Sequence, residues 1–469
     1  MRLLAGRFTR FMSAAAGVLL VATGGGAAQG ADVYNNVREV TDSATKAKHR
    51  LQERRVSAAT IAELDSRLPN VGVAEVLASA NHALKPVGSG QCAAREVKAL
   101  PVKPSYSSGY CWDTGDATTQ RWLPQGLTSS GDADNDGLWG TNKVILSGWK
   151  SNDAGFFDKY DNETGPTKFP NSRNLTRVAF IDANDPTAMK YRWVLLVVPT
   201  EGGANFDNLG ANIGGMAWFG DKLMITAKGG DAHDNALYVF SMKHILQATV
   251  NDNAIGRVSG GYAAHGYQYV MPAIGSYGLS TNCGTATGIS CAASMAVDRS
   301  ATPDSVVLNE WQSSASSAIG RTWSFELAAP SEGGMPLKVN ASGYADVREM
   351  YTADMSGVQG VLWYKDPDTG KRSWYMPKHR GGAGQQGIYY RRDAEGHRWT
   401  TCSGTDKADA CWAAHSQDMS LWWNGKTVWS QTEWAANASG KWVDDTIAGW
   451  QSSVIRERVL FSVPLSSMP

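Results

Sequence analysis

Ser416-Gln417-Asp418-Met419-Ser420-Leu421-Trp422-Trp423-Asn424-Gly425-Lys426-Thr427-Val428-Trp429-Ser430 reads as two short strands about a turn. Asn424-Gly425 favours the type I′ turn whose twist matches that of paired strands. The opening of this stretch has four counterparts: Pro124-Gln125-Gly126-Leu127, Ile213-Gly214-Gly215-Met216, Ala292-Ala293-Ser294-Met295 and Val358-Gln359-Gly360-Val361. The third column is small in all copies but the last, where Asp418 stands, and the fourth is apolar throughout. A second apolar strand follows each copy: Val144–Trp149, Leu223–Thr226, Val306–Trp311, Ser373–Met376 and Thr427–Ser430. A third carries alternating pairs, Val178/Phe180, Leu237/Val239, Trp323/Phe325, Ile388/Tyr390 and Val459/Phe461. Fourth strands are legible at Tyr191–Pro199 and Tyr267–Ala273.

Small antiparallel sheets repeated radially describe a β-propeller. The expected fold is therefore all-β: a propeller of about five four-stranded blades over residues 91–469, with six or seven still open. The small column places glycine where innermost strands crowd together. The last copy lacks a fourth strand, so the stretch near Cys92–Gly109 is expected to supply it and close the edge. A two-sheet sandwich is the rival, and five phased copies disfavour it.

Composition agrees. Glycine, 50 of 469 residues, exceeds the usual share of about 7%, and 18 Trp accompany only 19% charged residues. That balance suits tight turns and packed strands rather than long helices or disorder. Lys plus Arg equals Asp plus Glu at 44 each, so no basic surface points to nucleic acid.

The first residues read as an address. Arg2, Arg7 and Arg10 precede an apolar run from Phe11 to about Thr23, and Gly24–Ala31 is rich in small residues. This is the pattern of a secretory signal peptide over 1–31, cut between Ala28 and Ala31. The run is short for a membrane span, so no membrane association is expected after cleavage. Without the three arginines, 41 basic residues face 44 acidic ones. Residues 32–90 hold no Trp and no Cys. They predict a helical extension or pro-segment: one helix from Asp42 through Arg55, a second led by Ser57 with Ile61, Leu64 and Leu68 on one face, and a third over Val73–Leu84. Pro86–Gly90 reads as a linker.

Six cysteines fit an oxidising compartment and fall into three local couples, Cys92–Cys111, Cys283–Cys291 and Cys402–Cys411. Zinc is disfavoured, since there is no CxxC and no histidine at ligand spacing beside them.

Candidate chemistry is sparse. Asp132-Ala133-Asp134-Asn135-Asp136-Gly137 matches the opening of a calcium loop, with alternate carboxylates converging on one Ca2+ and a glycine at the bend. Position twelve is Lys143 rather than a bidentate Glu, so the loop is incomplete, and an ordinary acidic hairpin is the rival. There is no G-x-S-x-G, no H-E-x-x-H and no phosphate-binding glycine motif, so no catalytic residue is assigned. Gln125, Gln359, His415, Gln417 and Asp418 sit where innermost strands meet the expected channel mouth. Asp298 and Glu310 are further carboxylates to test for a paired mechanism. Trp422, Trp423, Trp429, Trp434, Trp442 and Trp450 would stack on sugars if exposed, or pack the sheets if buried.

Cys111-Trp112-Asp113-Thr114-Gly115-Asp116-Ala117 through Trp122-Leu123-Pro124-Gln125-Gly126 resembles a family of secreted actinobacterial β-propeller proteins, as do Gly214–Trp218 and Phe240–His244. The likeness runs from about residue 91 to the end. By fold and export, though by no shared motif, the chain also resembles the dispase autolysis-inducing proteins, secreted propellers that act on an extracellular protease and are transglutaminase substrates, whose seven blades differ from the five expected above. The resemblance implies export and a role in binding, and would make Gln385 and Gln386 cross-linking candidates. The expected function is a secreted, non-enzymatic propeller binding an extracellular protein or cell-wall component, with a carbohydrate-binding or glycoside-hydrolysing propeller as the alternative.

Overall fold

The computed structural model describes residues 38–151, 175–227, 235–313, 320–330, 334–353, 356–378, 385–393, 396–399, 411–437 and 449–468. The proposed signal peptide, Cys402 and Trp442 lie outside them. The chain is mostly β and forms several sheets.

Each repeat seen in the sequence opens a run of antiparallel strands. The first sheet orders Trp122–Ser129, Val144–Ser151, Thr176–Asp182 and Lys190–Thr200. The second orders Met216–Phe219, Lys222–Thr226, Asn235–Ser241 and Tyr269–Gly278. The third holds Ala292–Asp298, Ser305–Glu310, Gly320–Glu326 and Val347–Ala353. The fourth holds Leu362–Lys365, Arg372–Lys378, Ile388–Asp393 and Gly396–Trp399. In the fifth, Ser416–Trp422, Thr427–Thr432 and Val459–Pro464 take their fourth strand from Ser108–Cys111, far earlier in the chain. Tyr269–Pro272 also runs parallel to Val194–Val197, fusing the first and second sheets into one of 13 strands that nearly closes.

Packing follows the same order. One apolar cluster is shared by the first and second sheets, another by the second and third, then third and fourth, fourth and fifth, and fifth and first. The apolar column Leu127, Met216, Met295, Val361 and Met419 is wholly buried. The small column is explained by neighbours: a Cβ on Gly215 would lie 2.2 Å from the backbone nitrogen of Met295, which no side chain tolerates.

The segment before residue 90 departs from expectation. Helix α1, Ser43–Lys48, is capped by Asp42, whose carboxylate accepts from the amides of Ala44 and Thr45. It stops well short of Arg55, because Leu51–Arg55 is a strand (β2) on the edge of Tyr269–Gly278. Helix propensity yields there to an open row of sheet donors and acceptors. Helix α2, Ala58–Arg67, starts at Ser57 as the sequence suggests and buries Ile61 and Leu64. Helix α3 covers only Gly72–Ala78. Short strands complete the segment: β1 (Arg38–Glu39) on Val347–Ala353, β3 (His82–Ala83) on Lys190–Thr200, and β4 (Lys85–Pro86) on Ser108–Cys111. Residues 38–86 thus form a belt that adds an outer strand to the third, second, first and fifth sheets in turn. Pro86, expected in a linker, belongs to it.

Cys92–Cys111 and Cys283–Cys291 are disulfides, and Cys411 is disulfide-bonded. Among the described residues no helix is long and apolar enough to cross a membrane.

Candidate functional site

The last repeat brings its odd carboxylate to the most crowded point of the molecule. Asp418 is 0% exposed, and its Oδ2 accepts from the backbone amides of Leu127 (3.3 Å) and Met216 (3.1 Å). It joins three repeats rather than facing a channel. Burial pushes its carboxyl well above the ordinary range, with nearby Asp132 adding to the shift. Among the described residues Oδ1 has no hydrogen-bond partner.

Gln125, Gln417 and His415 are buried as well. Gln125 donates to the carbonyl of Pro124 (2.9 Å), and Gln417 donates to Glu433 (2.6 Å). Gln359, partly buried, donates its backbone amide to the carbonyl of Pro377. His415 holds a left-handed φ of 49°, stacks on Trp434 at 4.3 Å and faces Glu457 at 3.6 Å. Gln125, His415, Gln417 and Asp418 are thus buried, whereas Gln359 is partly exposed. Asp298 and Glu310 are buried, which raises the carboxyl of each.

The calcium reading gains no support from the geometry. Asp132 turns inward and accepts from Thr128 (2.8 Å), Ser420 (2.7 Å) and the indole of Trp423 (3.2 Å). Burial pushes its carboxyl up to about 6. Asp134 and Asp136 stay exposed and cap the amides of Asn135 and Leu138. The three carboxylates do not converge: among the described residues the metal-type cluster is Cys92, Glu96 and Cys111, whose sulfurs form a disulfide. The loop serves the fifth sheet instead. Its Gly137 leaves room for Trp422, whose Nε1 would lie 2.5 Å from a Cβ there. Docking also reshapes the facing turn. Asn424 donates to the carbonyl of Asp136 (2.5 Å), and Trp422 pairs with Thr427 across four residues, so the left-handed position falls on Lys426 and the two-residue type I′ turn does not form.

The motif around Asp116 carries a polar cluster that the sequence did not reveal. Asp116 accepts from Tyr191 (2.6 Å), Trp193 (3.2 Å) and Arg177 (2.9 Å). The Arg177 guanidinium lies 3.6 Å from the ring centre of Trp193 and 4.2 Å from that of Trp122. Arg458, wholly buried, donates to the carbonyls of Asp116, Thr119, Trp122 and Glu433. These residues are far apart in the chain, so no local pattern links them.

Openings lie away from Asp418. A cleft of about 490 Å3 separates α2 from the second sheet, with Ile61, Ile274 and Met335 beside the Asp65–His244 pair (2.8 Å). A second, about 380 Å3, lies over Trp422 and Trp429 between the fifth and first sheets. A third, about 240 Å3, opens beside Asp116 and Arg177. Trp422, Trp423 and Trp429 are at most 9% exposed, so they act mainly as packing. Gln385 is exposed, whereas Gln386 donates to the carbonyl of Lys98. No protein-family model matches the chain, and a comparison with curated proteins finds no match.

Proposed function

We propose that the chain is an exported five-bladed β-propeller that binds an extracellular protein or cell-wall component through surface clefts. Five four-stranded antiparallel runs, joined pairwise by five apolar clusters, support the radial arrangement. The basic, apolar and small-residue opening of the sequence and the disulfides support export.

One observation carries the choice of binding over catalysis at the centre. Paired-carboxylate hydrolysis needs two groups about 5–10 Å apart with access for water. Asp418 is the one carboxylate in the small-residue column, it is 0% exposed, and the adjoining column is apolar and buried. What the surface offers is clefts, and clefts with apolar walls and a few polar groups are binding sites. The resemblance to secreted propellers that act on a protease favours an extracellular protein among the partners.

The test is capture from culture supernatant and isolated cell walls by the full mature chain, read by saturable sedimentation and by cross-linking. Saturable retention of a wall fraction or one extracellular protein is the expected result. Retention no greater than that of an unrelated exported protein overturns the proposal, as does turnover in a glycosidase panel that is lost in Asp418→Asn.

A further inference from the structure

The smallest of the three clefts is the most completely built. Its walls come from three separate segments: the belt at Asn81 and His82, the first-sheet strands carrying Arg177 and Arg192, and the turn at Tyr267. Its floor is the Asp116–Arg177 pair at 2.9 Å, both residues less than a tenth exposed. Tyr191 and Trp193 take up the carboxylate oxygen left over by Arg177, and two indole faces hold the guanidinium flat. The floor is therefore neutral and rigid.

Above it the charges do not cancel. Among the described residues, Arg192 spends its hydrogen bonds on neutral groups, the carbonyl of Ser79 (3.4 Å) and the side-chain oxygen of Gln268. It makes no ion pair there. His82 adds a second basic group, stacked on Tyr191 at 5.0 Å with Nδ1 3.6 Å from Asp116. A guanidinium held in place but not neutralised, at the wall of a cleft, favours an anion, and its planar fork matches a carboxylate. Tyr267 offers a ring face beside it, and Asn81 an amide able both to donate and to accept. The volume, about 240 Å3, admits one sugar-sized unit and little more.

We infer that this cleft holds the carboxylate of an acidic sugar unit, free or within a polymer, with Arg192 as the anchor and Tyr267 beneath the sugar ring. The inference deepens the binding function proposed above by naming the chemistry of a cell-wall partner. It rests on that reading for its biological setting only.

The test uses the full mature chain and three probes followed by ligand-observed NMR titration: glucuronate, glucose and inorganic phosphate. Glucuronate binds saturably, and glucose binds roughly tenfold more weakly or not at all, because it lacks the charge-assisted contact. Arg192→Gln weakens glucuronate by roughly tenfold while melting at the wild-type temperature, and Arg192→Lys recovers part of the loss. Tyr267→Ala weakens glucuronate and leaves phosphate unchanged, which separates a sugar site from a plain anion site. Equal binding of glucose and glucuronate, phosphate binding as tight as glucuronate, or an Arg192→Gln chain that binds normally would each overturn the inference. Wall binding that survives Arg192→Gln sinks this site and spares the proposed function. Glucuronate binding without any wall or protein partner does the reverse.

Discussion

Between the second and third sheets the seam is hydrocarbon: Met224, Leu237 and Val239 meet Met295, Val297, Val306 and Leu308, none more than 1% exposed. Between the fifth and first sheets the seam keeps an aromatic core and adds a chain of buried polar contacts. Ser147 donates to Gln431 (2.5 Å), Gln431 donates to the carbonyl of Gly126 (2.9 Å), and Asp132 gathers Ser420 and Trp423. Arg458 ties the same two sheets through backbone carbonyls. Dispersion and hydrophobic burial are non-directional, so an apolar seam tolerates small slides. Hydrogen bonds fix angle and register, and leaving one buried group unmet is costly. The directional seam stands where the two ends of the chain meet, with Ser108–Cys111 paired to Val459–Ser462. A wrong register would cost most there.

Four substitutions would break or sharpen that contrast. Arg458→Met removes a wholly buried donor from four carbonyls, that of Asp116 buried and those of Thr119, Trp122 and Glu433 part-buried, and a destabilisation of about 3–5 kcal/mol in urea melts is expected. If it costs less than an apolar deletion, the polar seam is ornamental. Met295→Ala on the hydrocarbon seam should cost about 2–4 kcal/mol, by lost burial and a cavity. Asp132→Asn comes next at about 1–3 kcal/mol, because an amide cannot accept from both sets of donors.

Asp132 also predicts a pH signature. Its carboxyl is held up to about 6 in the folded chain against 3.8 when unperturbed, so folding takes up a proton between those values. Its contribution is full below the lower value, is lost as pH rises through the upper one, and is flat beyond. Asp132→Asn removes that part of the slope in a stability–pH series, whereas Met295→Ala keeps it. The smallest effect is Ser129→Ala, which loses one 3.3 Å contact to Ser420 and should cost under about 1 kcal/mol.

What the sequence announced was what lies close together along it. The repeated small and apolar columns, the Ser57 cap and two local disulfides depend on near neighbours, and each appears where the spacing puts it. Leu51-Gln52-Glu53-Arg54-Arg55 misled because its residues favour helix in isolation, and the sheet edge that recruits it is more than 200 residues away. Asp132 misled in another way. Alternating carboxylates look the same whether they surround an ion or one of them turns inward, and Ser420 and Trp423 decide which. The Asp116–Arg177–Arg458 cluster left no local trace, since its members carry charges ordinary for an exposed strand or loop.

The belt has a consequence for how the chain comes to be folded. Residues 38–86 emerge early from the ribosome, yet their partners lie at Ser108–Cys111, Lys190–Thr200, Tyr269–Gly278 and Val347–Ala353, the last about 300 residues on. Such high contact order makes folding slow and late. The belt's edges therefore become available one after another, and the belt is complete only once Val347–Ala353 has been made. If the chain is exported as proposed above, that delay would keep it threadable through a translocation pore until the third sheet has been made.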